Sequence, residues 1–97
     1  MIAPGDRSAR SSFPLGQIVM TQNAASTLPE PEVSAALARH AAGDWGDVDE
    51  HDRSANEMAL KDGSRLFSVY HAKDGTKFWI ITEANRSSTT VLLPEDY

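Results

Sequence analysis

Apolar positions recur along the chain at two spacings, first about every second residue and then about every third or fourth. Leu15 to Thr21 (LGQIVMT) is short, apolar and β-branched, which predicts a strand, and Gln22 to Pro31, broken by Pro29 and Pro31, predicts a loop. Pro31 and Glu32 suit a helix's first turn and Gly43 suits its stop, giving a helix over Pro31 to Ala42. Val33, Leu37 and Ala41 form its inward stripe, with His40 at the border. Asp47 followed three residues later by Glu50 resembles a capping box, so a second helix is expected from Val48 to Lys61, leaving through Asp62-Gly63. Its inward side would carry Val48, Ala55, Met58 and Ala59, and its outer side Asp49, Glu50, Arg53 and Glu57.

The last third switches to strand periodicity. Arg65 to Ala72 and Thr76 to Glu83 are joined through Asp74-Gly75, the pair best suited to a two-residue type I′ turn. A turn that tight sets Lys73 opposite Thr76. Phe67, Val69, His71, Phe78 and Ile80 would then face the helices, and Leu66, Ser68, Tyr70, Trp79 and Ile81 the other side. Ser88 to Leu93 forms another strand, ended by Pro94. The expected fold is α+β, a small antiparallel sheet with two helices on one face in the order β-α-α-β-β-β.

The 97 residues suit one domain: Met1 to Pro14 reads as a flexible leader and residues 15–97 as the folded unit. Its core is small, which favours a surface site over a deep one. The chain has no cysteine, so disulfides, thiolate nucleophiles and cysteine-based zinc sites are excluded. No apolar run is long enough to cross a bilayer and no secretory signal is recognisable, so a cytoplasmic location is expected.

Charge changes this picture most. Asp44, Asp47, Asp49, Glu50, Asp52, Glu57 and Asp62 face only Arg53 and Lys61 within one stretch, which therefore carries the chain's whole net charge of −5. Such a face attracts a cationic partner and repels nucleic acid, whose phosphates require clustered Lys and Arg. The candidate contact residues are Asp44, Asp47, Asp49, Glu50, Asp52, Arg53 and Glu57. Dipole-favoured carboxylates in a helix's first turn explain Asp49, Glu50 and Asp52 equally well. Tyr70 and Trp79, opposed in the expected register, make either an aromatic platform or a covered sheet face. Trp45, in Asp44-Trp45-Gly46, is either a plug between the helices or an interaction hot spot.

Chemistry is sparse by comparison. His40, His51 and His71 are too dispersed for a metal motif, and no metal or other cofactor is expected. Asp47-x-Asp49-x-His51 imitates the start of a calcium loop, but Asp52 stands where that loop needs Gly and Met58 where it needs Glu. No nucleophile-elbow pattern accompanies the many hydroxyls. A ribonuclease-like site would have to draw on Tyr70, His71, Arg65, Lys77 and Arg86.

Three blocks, GDWGDVDEHDRSANEMAL (Gly43 to Leu60), RLFSVY (Arg65 to Tyr70) and FWIITEANRSSTTVLLPEDY (Phe78 to Tyr97), resemble a family of short uncharacterised bacterial proteins of plasmids, phages and integrated elements. Members are sometimes labelled as type I restriction-modification accessories, yet this chain has no methyl-donor-binding glycine motif. The resemblance implies a mobile-element setting, in which small acidic proteins inhibit defence nucleases, including restriction enzymes and CRISPR complexes. The expected function is therefore non-enzymatic inhibition or adaptation: an acidic helix engages a basic, nucleic-acid-handling protein, without direct contact to nucleic acid or membrane. The alternatives are an antitoxin-like regulatory partner and a small RNase-like toxin.

Overall fold

A computed structural model describes residues 12–97. The first eleven residues of the expected leader lie outside the described residues. Ser12 to Pro14 do not behave as a leader: the Ser12 amide donates to Ala41 O and Phe13 is buried. An aromatic ring supplies enough burial to tie this segment to the domain, so the fold begins before Leu15.

The elements are β1 (Gln17–Met20), α1 (Gln22–Thr27), α2 (Glu30–Ala41), α3 (Glu50–Asp62), β2 (Leu66–His71), β3 (Lys77–Thr82), β4 (Ser88–Leu92) and a final 3-10 turn (Pro94–Asp96). The fold is α+β, with a four-stranded sheet in the order β1-β4-β3-β2. Two expectations are corrected. The sheet is mixed rather than antiparallel, because β1 runs parallel to β4 while β2-β3 and β3-β4 are antiparallel. Among the described residues there are three helices rather than two, since Gln22 to Thr27 is helical. Thr21 caps that helix through its hydroxyl, which accepts from the Ala24 amide, and Ala24 and Leu28 enter the core.

The β2-β3 register differs from the expected one by a single residue. His71 pairs with Lys77 and Tyr70 with Phe78. The connecting loop is Lys73-Asp74-Gly75 rather than Asp74-Gly75 alone: Gly75 N donates to Ala72 O and Ala72 N to Thr76 O, each at 2.8 Å. Gly75 takes φ +94° and the Asp74 carboxylate accepts from Thr76 N, the geometry of a type I turn closed by a left-handed residue. A one-residue slip turns every side chain of one strand over. Leu66, Ser68 and Tyr70 therefore join Phe78, Ile80 and Thr82 against the helices, while Phe67, Val69 and His71 join Trp79 and Ile81 outside.

The helix-facing side holds two apolar clusters. One joins Ala24, Leu28, Val33, Ala36, Tyr70, Phe78, Ile80, Val91 and Leu93; the other joins Phe13, Trp45, Ala59 and Leu66. Between them runs a seam of four fully buried polar side chains, His40, Ser68, Thr82 and Thr89. Thr89 Oγ1 donates to Leu15 O at 2.7 Å, which commits its proton. Thr82 must then donate to Thr89 Oγ1 (2.7 Å), and His40 Nε2 must donate to Thr82 Oγ1 (2.9 Å). His40 Nδ1 is left as an acceptor for the Ser68 hydroxyl at 2.6 Å. The chain of donors thus fixes His40 as the neutral Nε2-H tautomer, and burial pushes its pKa down to about 4.

The α3 helix starts two residues later than expected. Asp49, not Asp47, is the cap, its carboxylate accepting from Asp52 N at 2.8 Å, and Gly63 ends the helix at φ +81°. The buried face accordingly holds Asn56 and Ala59, while Ala55 and Met58 face solvent. Asn56 is buried because its amide imitates a strand, donating to Phe67 O at 2.7 Å and accepting from Phe67 N at 3.0 Å. One residue pair along β2, Trp45 O accepts from Val69 N and Asp47 N donates to Val69 O. Gly46 at φ +74° permits this approach, since a Cβ there would lie 2.0 Å from Val69 O. The β2 edge is thereby occupied at both Phe67 and Val69.

Candidate functional site

The candidate acidic residues fall on one end of the molecule, across the 44–49 turn and α3, beside the β2 edge. Each is tied to the fold differently. Asp44 accepts a two-pronged contact from Arg39, Nε to Oδ2 at 2.8 Å and Nη2 to Oδ1 at 3.1 Å, and also receives the Gly46 amide. The Arg39 guanidinium holds the Asp44 carboxyl below its ordinary range, and Asp44 in return raises Arg39. Arg39 also lies over the Tyr70 ring, 4.8 Å from its centroid. Asp47 turns the other way and meets His71 Nδ1 at 2.8 Å.

On α3, Asp49 is occupied as the helix cap, and Glu50 contacts Arg53 at 3.4 Å one turn along. Glu57 accepts from Trp45 Nε1 at 2.9 Å. Asp52 is half-buried and contributes its amide to the Asp49 cap. Asp44, Arg53 and Glu57 meet around a shallow recess of about 130 Å³ whose other walls are Gly43, Trp45, Gly46 and Val48. Asp47, Asp49, Glu50 and Asp52 lie outside that lining. Trp45 is the plug, not an exposed hot spot: it is buried, stacks on Phe13 at 6.1 Å and presents an edge contact to His40 at 5.7 Å.

The proposed platform of Tyr70 and Trp79 does not form. Tyr70 is buried on the helix side, its hydroxyl donating to Asp44 O, while Trp79 is half-buried on the opposite face. The one-residue register difference separates them. Trp79 instead lies in a row with Phe67 at 5.1 Å and Tyr97 at 5.8 Å, both near-perpendicular to it. Arg65 Nη1 donates to the Tyr97 hydroxyl, pinning the row at its end. Phe67, expected on the helix-facing side, belongs to the outer face because of the same register difference, and no periodic signal links Tyr97 to β3.

Other groups with catalytic potential are scattered or enclosed. His40 and Ser68 stand at the separation of a base and a nucleophile, but both are fully buried and the second imidazole nitrogen faces a threonine rather than a carboxylate. Arg86 is spent on carbonyls: it donates to Ser64 O at 2.6 Å, Ala59 O at 3.0 Å, Glu83 O at 3.2 Å and Ala84 O at 3.3 Å. Arg65 and Lys77 lie on or beside the outer face, whereas His71 borders with Tyr70, Arg39 and Glu32 a shallow recess and has its Nδ1 taken up by Asp47. Among the described residues, no three His, Asp or Glu side chains gather to hold a metal, and no helix is long and apolar enough to cross a membrane. Comparison with protein-family models, curated proteins and solved structures finds no match.

Proposed function

We infer that this protein is a non-enzymatic binding module whose acidic end engages a basic protein surface, of the kind that otherwise grips nucleic acid. The observation that carries this reading is the way the carboxylates are held. Asp44 is locked by Arg39, Glu57 by Trp45 and Asp49 by the helix it caps, so the negative charge sits in fixed positions on a packed frame. Preorganised carboxylates lose little side-chain freedom on pairing with Arg or Lys, and the net −5 of this segment steers a cationic partner toward it. A nucleic-acid-handling defence complex is the class of partner that matches.

The frame also selects the variants. Reversing Asp49 or Glu57 would damage a cap or a buried tryptophan contact, whereas Glu50 and Asp47 are exposed and bonded only to surface groups. Glu50→Lys with Asp47→Lys is expected to weaken binding of the partner captured from host lysate by at least about tenfold at low salt, with circular dichroism unchanged. Wild-type affinity should also fall as salt rises. A partner that binds the double variant with wild-type affinity refutes the reading.

A further inference from the structure

The two edges of the sheet are treated oppositely. At the β2 edge, Asn56 and the Trp45–Asp47 segment occupy the backbone groups of Phe67 and Val69. At the other edge β1 has a neighbour, β4, on one side only among the described residues. Gln17 N donates to Ser87 O and Thr21 N to Val91 O, so the odd-numbered residues turn toward β4. The intervening Ile18 and Met20 therefore direct their amides and carbonyls outward. Ile18 and Val19 are 44% and 41% exposed, unusual for large aliphatic residues in a strand.

Edge strands are ordinarily guarded by charge, proline or a bulge. Here no charged residue occurs between Leu15 and Pro29, and β1 contains neither proline nor glycine. An open, neutral, aliphatic edge on an acidic protein suits one partner in particular, an identical edge. We propose that two copies of this chain pair through β1, antiparallel about a two-fold axis at Val19, joining two four-stranded sheets into one continuous sheet.

The register follows from which groups point outward. Ile18 of one copy pairs with Met20 of the other and Met20 with Ile18, making four backbone hydrogen bonds, and Val19 faces its own counterpart. Charge geometry favours the same arrangement. The acidic end packs beside β2, the strand farthest from β1, so the acidic ends of the two copies lie at opposite extremes of the joined sheet. Seven strand spacings of about 4.8 Å separate β2 from its counterpart, roughly 34 Å, several times the Debye length of about 8 Å at physiological salt. Repulsion between the acidic faces is thus screened. The inference does not depend on the function proposed above, because the pairing edge and the acidic end are at opposite sides of the sheet.

Analytical ultracentrifugation of the full chain, from low micromolar to near-millimolar concentration, tests the proposal. A monomer–dimer equilibrium is expected. Val19→Lys and Val19→Glu should each sediment as monomers with unchanged circular dichroism, and an equimolar mixture should recover dimer through the opposed charges. Because the chain lacks cysteine, Val19→Cys provides an independent register test. A Val19 pair about 4.5 Å apart between Cα atoms falls within disulfide range, so mild oxidation should link the copies, while Thr90→Cys, one strand inward, should not link. A wild-type monomer at every concentration overturns the proposal, and exchange-protected Ile18 and Met20 amides in that monomer would assign the edge to another segment of the same chain. A dimer that persists in both charged variants also overturns it.

Discussion

Protonation of His40 should destabilise this fold as the pH falls below about 6.5. The imidazole is completely enclosed, with Phe13 and Trp45 against its ring and hydroxyls of Ser68 and Thr82 at its two nitrogens. In the unfolded chain it titrates near pH 6.5; in the fold, burial lowers this to about 4. The sign follows. Between these values the unfolded state binds the proton and the native state does not, so stability is complete above about pH 6.5 and declines as pH falls toward 4. Linkage across this interval gives a loss of about 2 kcal/mol by pH 5 and about 3 kcal/mol by pH 4, a large share of the roughly 5–15 kcal/mol of a small domain. The depressed carboxyls of Asp44 and Asp96 act with the same sign: their contribution is present above the ordinary carboxylate value and begins to be lost as pH falls through it, so it adds to the decline only at the acid end of this interval. Urea unfolding followed by tryptophan fluorescence at about pH 7.5, 6, 5 and 4.5 reads the curve directly. His40→Gln keeps a donor and an acceptor without a titrating ring; it should be less stable at neutral pH, yet nearly flat from about pH 7.5 to about pH 5. An equal decline in His40→Gln would refute the assignment to His40.

Substitutions at three further positions test the packing. Arg86→Ala leaves the carbonyls of Ala59, Ser64, Glu83 and Ala84 without their guanidinium donor and should cost about 2 to 3 kcal/mol in urea unfolding, with Arg86→Lys restoring less than half because an ammonium cannot span them. Phe78→Ala, in the buried helix-facing core, should cost about 3 to 5 kcal/mol, whereas Trp79→Ala, half-buried among Phe67 and Tyr97, should cost about 1 to 2 kcal/mol by the same measurement.

The α+β class, α2, the approximate span of α3 and the three C-terminal strands were legible because periodicity, caps and Gly stops agree there. What misled the pattern was buried polarity. Ser68 and Tyr70 read as outward residues, but Ser68 belongs to the His40 seam and the Tyr70 hydroxyl reaches Asp44 O, so both go inside with their polar atoms satisfied. The expected inward side of α3 omits Asn56 for the same reason, although its amide closes a sheet edge. The turn compounded this: Asp74-Gly75 fits both a two-residue and a three-residue loop, and local sequence alone does not choose between registers that differ by one. Of the candidate site, the concentration of acids was legible from composition. Their partners were not, because Arg39 and His71 reach Asp44 and Asp47 only through the fold.

The claim that the acidic end occupies a nucleic-acid-handling surface is tested most directly by competition. With a fluorescent nucleic acid bound to the captured partner, added wild-type protein should lower its anisotropy to that of the free strand. The Asp47→Lys, Glu50→Lys double variant should leave the anisotropy high at the same concentrations. A wild-type protein that binds the partner while the nucleic acid stays bound, giving a ternary complex, would contradict the account.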